Sequence, residues 1–338
     1  MGFHLPLIFA LLSLAAVALA NHAAQPAPQL YWNSVLPNTQ MPRSISELLH
    51  PDSTNEEKST NIVNAVGDGK SKRSYSLSNY GSPPPNVQEH YGGALNQRRY
   101  RRGSPPSDNQ LLHYKDLAIF FFEKDMRPGA TMKFQFPRNS NTATFLPRES
   151  AQSIPFSSNK LPEIFSHFSV KPTSEEAKTI KQTIEECEAP GLKGEEKYCA
   201  TSLESMVDFS TSKLGTRNVE AISTEILEKG ATMSMHNYTT MPGLKKLAGD
   251  KVVVCHKENY PYAVFFCHAI KQTAAYVLSL KADDGMKVKA VTICHLDTSE
   301  WDPEHLSFQI LNVKPGTTPI CHFISTDAIA WVPNHKSA

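Results

Sequence analysis

The residues best suited to chemistry lie near the end of the chain, where a Cys-His dipeptide occurs four times: Cys255-His256, Cys267-His268, Cys294-His295 and Cys321-His322. Ten residues separate the first two, twenty-five the next, twenty-five the last, and eight more lead to Trp331. Thiolates and imidazoles are the donors that transition metals select. Structural zinc usually takes paired ligands about two to five residues apart, which adjacent residues do not provide. On a strand, neighbouring side chains point to opposite faces. A Cys and its His would then serve different layers, with four cysteines packing or stapling in one and four histidines converging on a pocket in the other. Imidazoles suit copper, zinc or nickel. Intrinsic affinity favours copper, and zinc stays open as the second choice.

The elements that must position these pairs are apolar runs. Val252-Val253-Val254, Ala263 to Phe266 and Ala290 to Ile293 precede the first three pairs, and their β-branched and aromatic content predicts strands. Thr318-Pro319-Ile320 precedes the fourth, where proline restricts a strand to an edge or a start. Upstream, the run Ala118 to Phe122 predicts a buried strand, Arg127-Pro128-Gly129 a turn, and Thr131 to Phe136 a second strand. Residues 174–187 predict a helix capped by Ser174 and closed by Pro190-Gly191. Residues 195–214 predict another, with Cys199, Leu203, Met206 and Phe209 at helical spacing and Gly215 as the stop. Two helices followed by a strand-rich half give an α+β fold.

Four regions follow along the 338 residues. Residues 1–20 form an apolar run ending in Ala18-Leu19-Ala20, the pattern of a cleaved export signal, so the mature chain is expected to be secreted with no membrane span left. Residues 21–50 carry Tyr31-Trp32 and Ile45 to Leu49, apolar enough to dock but too short for a domain. Residues 51–110 are polar and rich in Pro, Gly and basic clusters such as Arg98-Arg99-Tyr100-Arg101-Arg102, a composition that predicts a disordered linker. Residues 111–338 form the globular domain. Export makes disulfides the expected state of Cys187, Cys199, Cys255, Cys267, Cys294 and Cys321, although six cysteines allow fifteen pairings and sequence selects none. Asn237-Tyr238-Thr239 is a glycosylation sequon. A formal net charge of +1 gives no bulk attraction to nucleic acid or membranes.

The four spaced pairs and Trp331 resemble the signature of the plant BURP-domain family. Phe120-Phe121-Phe122-Glu123-Lys124-Asp125 is similar to the family's domain start. Phe145-Leu146-Pro147-Arg148, Tyr198 to Met206 and Ala330-Trp331-Val332-Pro333 resemble the dehydration-responsive subgroup. The resemblance spans about residues 115–334. It implies a stress-associated apoplast or cell-wall protein, with wall polysaccharide or wall protein as partner and a structural or copper-sequestering histidine site.

Some family members are copper-dependent, autocatalytic peptide cyclases that join a Tyr or Trp side chain to another residue of a core peptide. By that resemblance His256, His268, His295 and His322 would be the copper ligands, catalytic if the chain is a cyclase, and the neighbouring cysteines would brace the strands as disulfides. The substrate would be the chain's own linker. The linker has no tryptophan, which leaves tyrosines, with Tyr80 and Tyr91 beside glycine as the conceivable cores. Asp297 and Asp302 are candidates to orient an imidazole, but solvated loop carboxylates are the expected reading. His305 and His335 lie near the motif and are candidates to complete a site, but lone histidines are expected at the surface. No nucleophile elbow, phosphate loop or zinc-protease helix is present in the sequence.

Overall fold

The computed structural model describes residues 27–49, 120–136, 141–191, 194–228 and 234–334. The expected export signal, the whole of the linker 51–110 with Tyr80 and Tyr91, and His335 lie outside the described residues. The N-terminal segment folds as helices α1 (Ala27–Val35) and α2 (Arg43–Ser46). A 3-10 turn over Glu123–Met126 and strand β1 (Thr131–Phe134) open the next part. Helices α3 (Arg148–Ser153), α4 (Leu161–His167) and α5 (Glu175–Glu188) precede β2 (Glu195–Ala200) and α6 (Leu203–Leu214). Four short strands follow: β3 (Val219–Ile222), β4 (Glu225–Ile226), β5 (His236–Thr240) and β6 (Lys245–Ala248). The C-terminal half is β7 (Val253–Glu258), β8 (Val264–Ile270), β9 (Thr273–Ala282), β10 (Lys287–His295), helix α7 (Leu306–Leu311), β11 (Ile320–Phe323) and β12 (Ile329–Pro333). The molecule is therefore α+β with a strand-rich C-terminal half, as its sequence pattern requires. No helix among the described residues is long and apolar enough to cross a membrane.

Local chemistry explains the helix ends. Ser174 Oγ accepts the Ala177 N–H at 3.2 Å, and Glu175 and Glu176 sit in the first turn of α5, where they complement the helix dipole. Ser202 and Ser205 form a reciprocal cap on α6, which ends at Gly215 with φ 73°, a left-handed conformation that glycine adopts without strain.

The expected single helix over residues 195–214 is two elements. Residues 195–200 are a strand antiparallel to β8, with Tyr198 opposite Cys267 and Lys197 opposite His268. Only from Leu203 does the helical spacing hold. Pairing to a buried strand outweighs a helical propensity that differs by fractions of a kcal/mol per residue. Of the run 118–122, residues 120–122 are described, and there Phe121 makes a single bridge to Cys321 rather than a strand.

The strands form two antiparallel sheets. The seven-stranded sheet runs β1-β5-β9-β10-β11, with β4 added to β10 and β6 to β9. The five-stranded sheet runs β2-β8-β7-β12-β3. One core layer joins Val254, Ala330 and Val332 of the five-stranded sheet to Ala275, Val291 and Ile293 of the seven-stranded one. On the other face of the five-stranded sheet, Cys255, Phe265, Cys267 and Trp331 pack with α6 and the N-terminal segment. On the other face of the seven-stranded sheet, Phe134, Tyr238, Leu278, Cys294 and Cys321 form a further core with Phe121 and Met126.

Candidate metal centre

The alternation of strand side chains sorts each dipeptide as the sequence predicts. Cys255 and Cys267 fall in the outer core of the five-stranded sheet, and Cys294 and Cys321 in that of the seven-stranded sheet. His256, His268, His295 and His322 take the opposite faces and line one cavity between the sheets. Its other walls are Val252, Val254, Ile270, Thr273 and Ile293. The free volume is about 10 Å³, the size of one water molecule or ion.

The cysteines fix the register of this arrangement. Cys255 lies directly opposite Cys267 in the β7–β8 ladder, and Cys294 opposite Cys321 in the β10–β11 ladder. Each pair is a disulfide, and Cys187–Cys199 is the third, tying the end of α5 to β2. The histidine after each cysteine is thereby held beside the histidine of the partner strand. Ring centroids lie 5.4 Å apart for His256 and His268, and 5.6 Å for His295 and His322. Pro319 precedes β11 and leaves it as an edge strand, the position proline tolerates.

Hydrogen bonds set the tautomers. His268 Nδ1–H donates to Glu195 Oε1 at 2.8 Å, with both side chains largely buried. His322 Nδ1–H donates to the Phe323 carbonyl at 3.1 Å. Each bond leaves the Nε2 lone pair available and fixes the ring's orientation, the support that metal-bound histidines commonly have. Both ring nitrogens of His295 are buried and without a hydrogen-bond partner. Burial, reinforced by the neighbouring imidazoles, drives the His295 pKa well below its ordinary value. Burial likewise pushes His322 down to about 4. At neutral pH these two rings are uncharged, the form that binds metals.

An aromatic shell covers the seven-stranded side. The Trp301 ring lies 4.9 Å from His295 and 4.8 Å from His305, and Phe120 lies 6.4 Å from His322. His305 is buried rather than at the surface, because it caps α7: its Nδ1 accepts the Ser307 N–H at 3.3 Å, which places the ring proton on Nε2. Burial lowers its pKa to about 4. Asp297 and Asp302 serve loop turns, accepting the N–H groups of Ser299 and Glu304. The carboxylate on a site histidine is Glu195 instead. The expected helix hid it: only on a strand does Glu195 lie diagonal to His268 on the same face.

A second group was not foreseen. His236, Asp283 and Asp284 bring ligand atoms within 4.8 Å of one another and could hold a metal ion. His236 Nδ1 lies 2.8 Å from Asp283 Oδ1, and this bond is the main reason the Asp283 pKa falls to about 2. Among the described residues this is the one trio that close. The four histidines form two pairs around a cavity rather than a cage already closed to bonding distance. The sequence signal for the trio was slight, a lone histidine and an Asp-Asp-Gly turn. Asn237 of the sequon is exposed beside it, with its side-chain amide 3.3 Å from Asp283 Oδ2.

Comparison with known proteins places this arrangement. The family model described as the BURP domain matches residues 119–333. The chain is 39% identical to the BURP domain protein RD22 of Arabidopsis thaliana, across 98% of this chain and 99% of that protein. It is 41% identical to BURP domain-containing protein 5 of Oryza sativa subsp. japonica, across 94% and 90%. Protein RAFTIN 1A of Triticum aestivum is 30% identical across 93% of each chain.

Proposed function

We propose that this chain, which belongs to the BURP domain family, is a secreted, stress-associated protein of the apoplast or cell wall that binds copper through His256, His268, His295 and His322. The observation that carries the reading is the convergence of four imidazoles on one ion-sized cavity, with both nitrogens of His295 buried and unpartnered. Leaving such groups unsatisfied costs about 1–3 kcal/mol each, and a metal with nitrogen affinity relieves it. The three disulfides fit an extracellular protein. The kinship with RD22 over nearly the whole chain, together with the subgroup resemblance of Tyr198 to Met206, supports the stress association.

Copper held there would supply a one-electron redox centre, which zinc does not. The chain's own residues would do the rest. Glu195 and the Phe323 carbonyl hold His268 and His322 in one tautomer, and Trp301 and Phe120 shield the seven-stranded half from water.

A second reading, oxidative crosslinking of a linker tyrosine such as Tyr80 or Tyr91, has one observation in its favour. Phe120, where the described residues resume after the linker, has its ring 6.4 Å from that of His322. That reaction would join a tyrosine side chain to a second residue, removing one hydrogen from each. The two electrons and two protons would pass to dioxygen.

One experiment tests both readings. Purified protein is titrated with copper while Trp fluorescence is followed, then reduced and peptide-mapped by mass spectrometry after exposure to air. Saturable quenching that depends on His295, with an unmodified linker, supports the sequestering or structural site. A loss of two hydrogens within Tyr75–Tyr100 that vanishes in His256→Ala establishes the cyclase. Quenching no stronger than in a variant lacking all four histidines would sink the metal reading.

A further inference from the structure

Residues 27–49 lie outside the matched 119–333 span, yet their apolar side chains Trp32, Leu36, Ile45, Leu48 and Leu49 are buried in the domain. Trp32 is 2% exposed, and its ring centroid lies 5.5 Å from that of Trp331. Leu36 and Ile45 are buried in the same cluster, against α6 and the five-stranded sheet. The segment is internally shaped for this face: the Trp32 indole N–H donates to the Thr39 carbonyl at 3.1 Å, closing the turn that follows α1.

Polar bonds then fix its register. Thr39 Oγ1–H donates to the Val219 carbonyl at 2.7 Å, and the Phe145 N–H donates to the Leu48 carbonyl at 3.0 Å. At the rim the Tyr31 hydroxyl donates to Asp208, which also holds Arg148 at 2.6 Å. The Arg148 guanidinium lies over the Tyr31 ring at 5.0 Å.

A short helix with a buried aromatic anchor, a central apolar contact and a hydrogen-bonded rim has the anatomy of a peptide in a recognition groove. Nothing covalent adds to it. All six cysteines lie at or beyond residue 187 and pair with one another, so the segment is joined to the domain only through the backbone of residues 50–119. None of the contacts above involves that stretch.

We propose that the face built by α6, β3 and β12 is a peptide-binding groove whose ligand is the chain's own residues 27–49, and that this segment stays bound as a noncovalent subunit when the chain between 49 and 120 is cut. Proteolysis at basic clusters such as Arg98 to Arg102 therefore yields a two-chain particle rather than a bare domain.

The test uses the full chain with a site-specific protease sequence inserted among residues 60–70, cut to completion and run on a native sizing column. Both pieces are expected to elute together at the mass of the uncut protein and to part only in denaturant. Trp32→Ala should speed release of the N-terminal piece by roughly a hundredfold. Tyr31→Phe, which keeps the packing and removes one hydrogen bond, should speed it by roughly five- to tenfold. If Trp32→Ala does not fold before cutting, Tyr31→Phe carries the comparison. Separate elution of the N-terminal piece from a domain with unchanged circular dichroism would overturn the proposal. So would co-purification of two differently tagged copies before the cut that Trp32→Ala abolishes, since the occupant would then be a second molecule's segment.

Discussion

The five-stranded sheet presents His256 and His268 with a buried carboxylate, Glu195, bonded to one of them. The seven-stranded sheet presents His295 and His322 beneath Trp301 and Phe120, with a backbone carbonyl as polar support for His322 and no hydrogen-bond partner for His295 among the described residues. Both halves have the same ladder, the same cross-strand disulfide and the same Cys-His order. The difference shows that a repeated motif fixes where a histidine sits, while the residues around the motif fix how strongly it holds a proton or a metal. One half is positioned by charge-assisted hydrogen bonding, the other by desolvation.

Acid should expose this contrast most strongly in the metal-free protein. His322 and His305 have folded pKa values near 4, below the ordinary 6.5. Unfolded chains therefore take up protons first as pH falls, so stability is complete above about 6.5 and declines down to about 4, by at most about 1.4 kcal/mol per pH unit for each group. Urea midpoints measured from pH 7 to 4 should show the decline, and a His305→Gln, His322→Gln protein should lessen it, leaving the share of the buried His295. An unaltered slope would break the assignment of desolvation to the seven-stranded half.

Next in size come the disulfides. The Cys294–Cys321 loop spans 27 residues and the Cys255–Cys267 loop 12. Chain entropy then predicts losses of about 3.5 and 3 kcal/mol for the paired Cys→Ser variants, read as denaturation midpoints. The reverse order would show that strand geometry matters more than loop closure.

The histidines themselves should respond in opposite ways. His268→Leu removes the hydrogen bond to the buried Glu195 and should cost about 2 kcal/mol in the apo protein. His295→Leu removes two unsatisfied nitrogens and should be neutral, or stabilising by about 1 kcal/mol. Each should weaken copper binding by calorimetry. Equal apo stabilities would merge the two halves into one kind of site. The smallest effect belongs to Asp297→Ala and Asp302→Ala, which should leave copper affinity within about twofold, since both carboxylates serve turns.

The sequence made the centre legible because a period-two rule needs only local information. Once the runs before Cys255, Cys267 and Cys294 read as strands, opposite faces for Cys and His followed, and the structure has them so. The register that makes Cys255 face Cys267 is nonlocal, and no count of residues selects it among fifteen pairings. Glu195 was hidden for the same reason: Cys199, Leu203, Met206 and Phe209 do fall at helical spacing, and only pairing to β8 turns residues 195–200 into a strand. His305 was misplaced at the surface because the burial of a lone histidine depends on what folds over it, here Trp301 and Phe120. Trp32 was legible as a residue that docks, but its partner, Trp331, lies nearly three hundred residues away.

The disulfides carry a consequence for when the protein matures. Because each histidine stands next to a cysteine whose bond spans two neighbouring strands, the imidazole pairs come into register as those bonds form. In a reducing lumen or cytosol the ladders would rest on backbone pairing alone, and the cavity would be free to loosen. On the proposed reading, oxidative folding is thus the clock for metal loading: an ion would be acquired only after the cysteines close, and a reduced chain would compete poorly for copper.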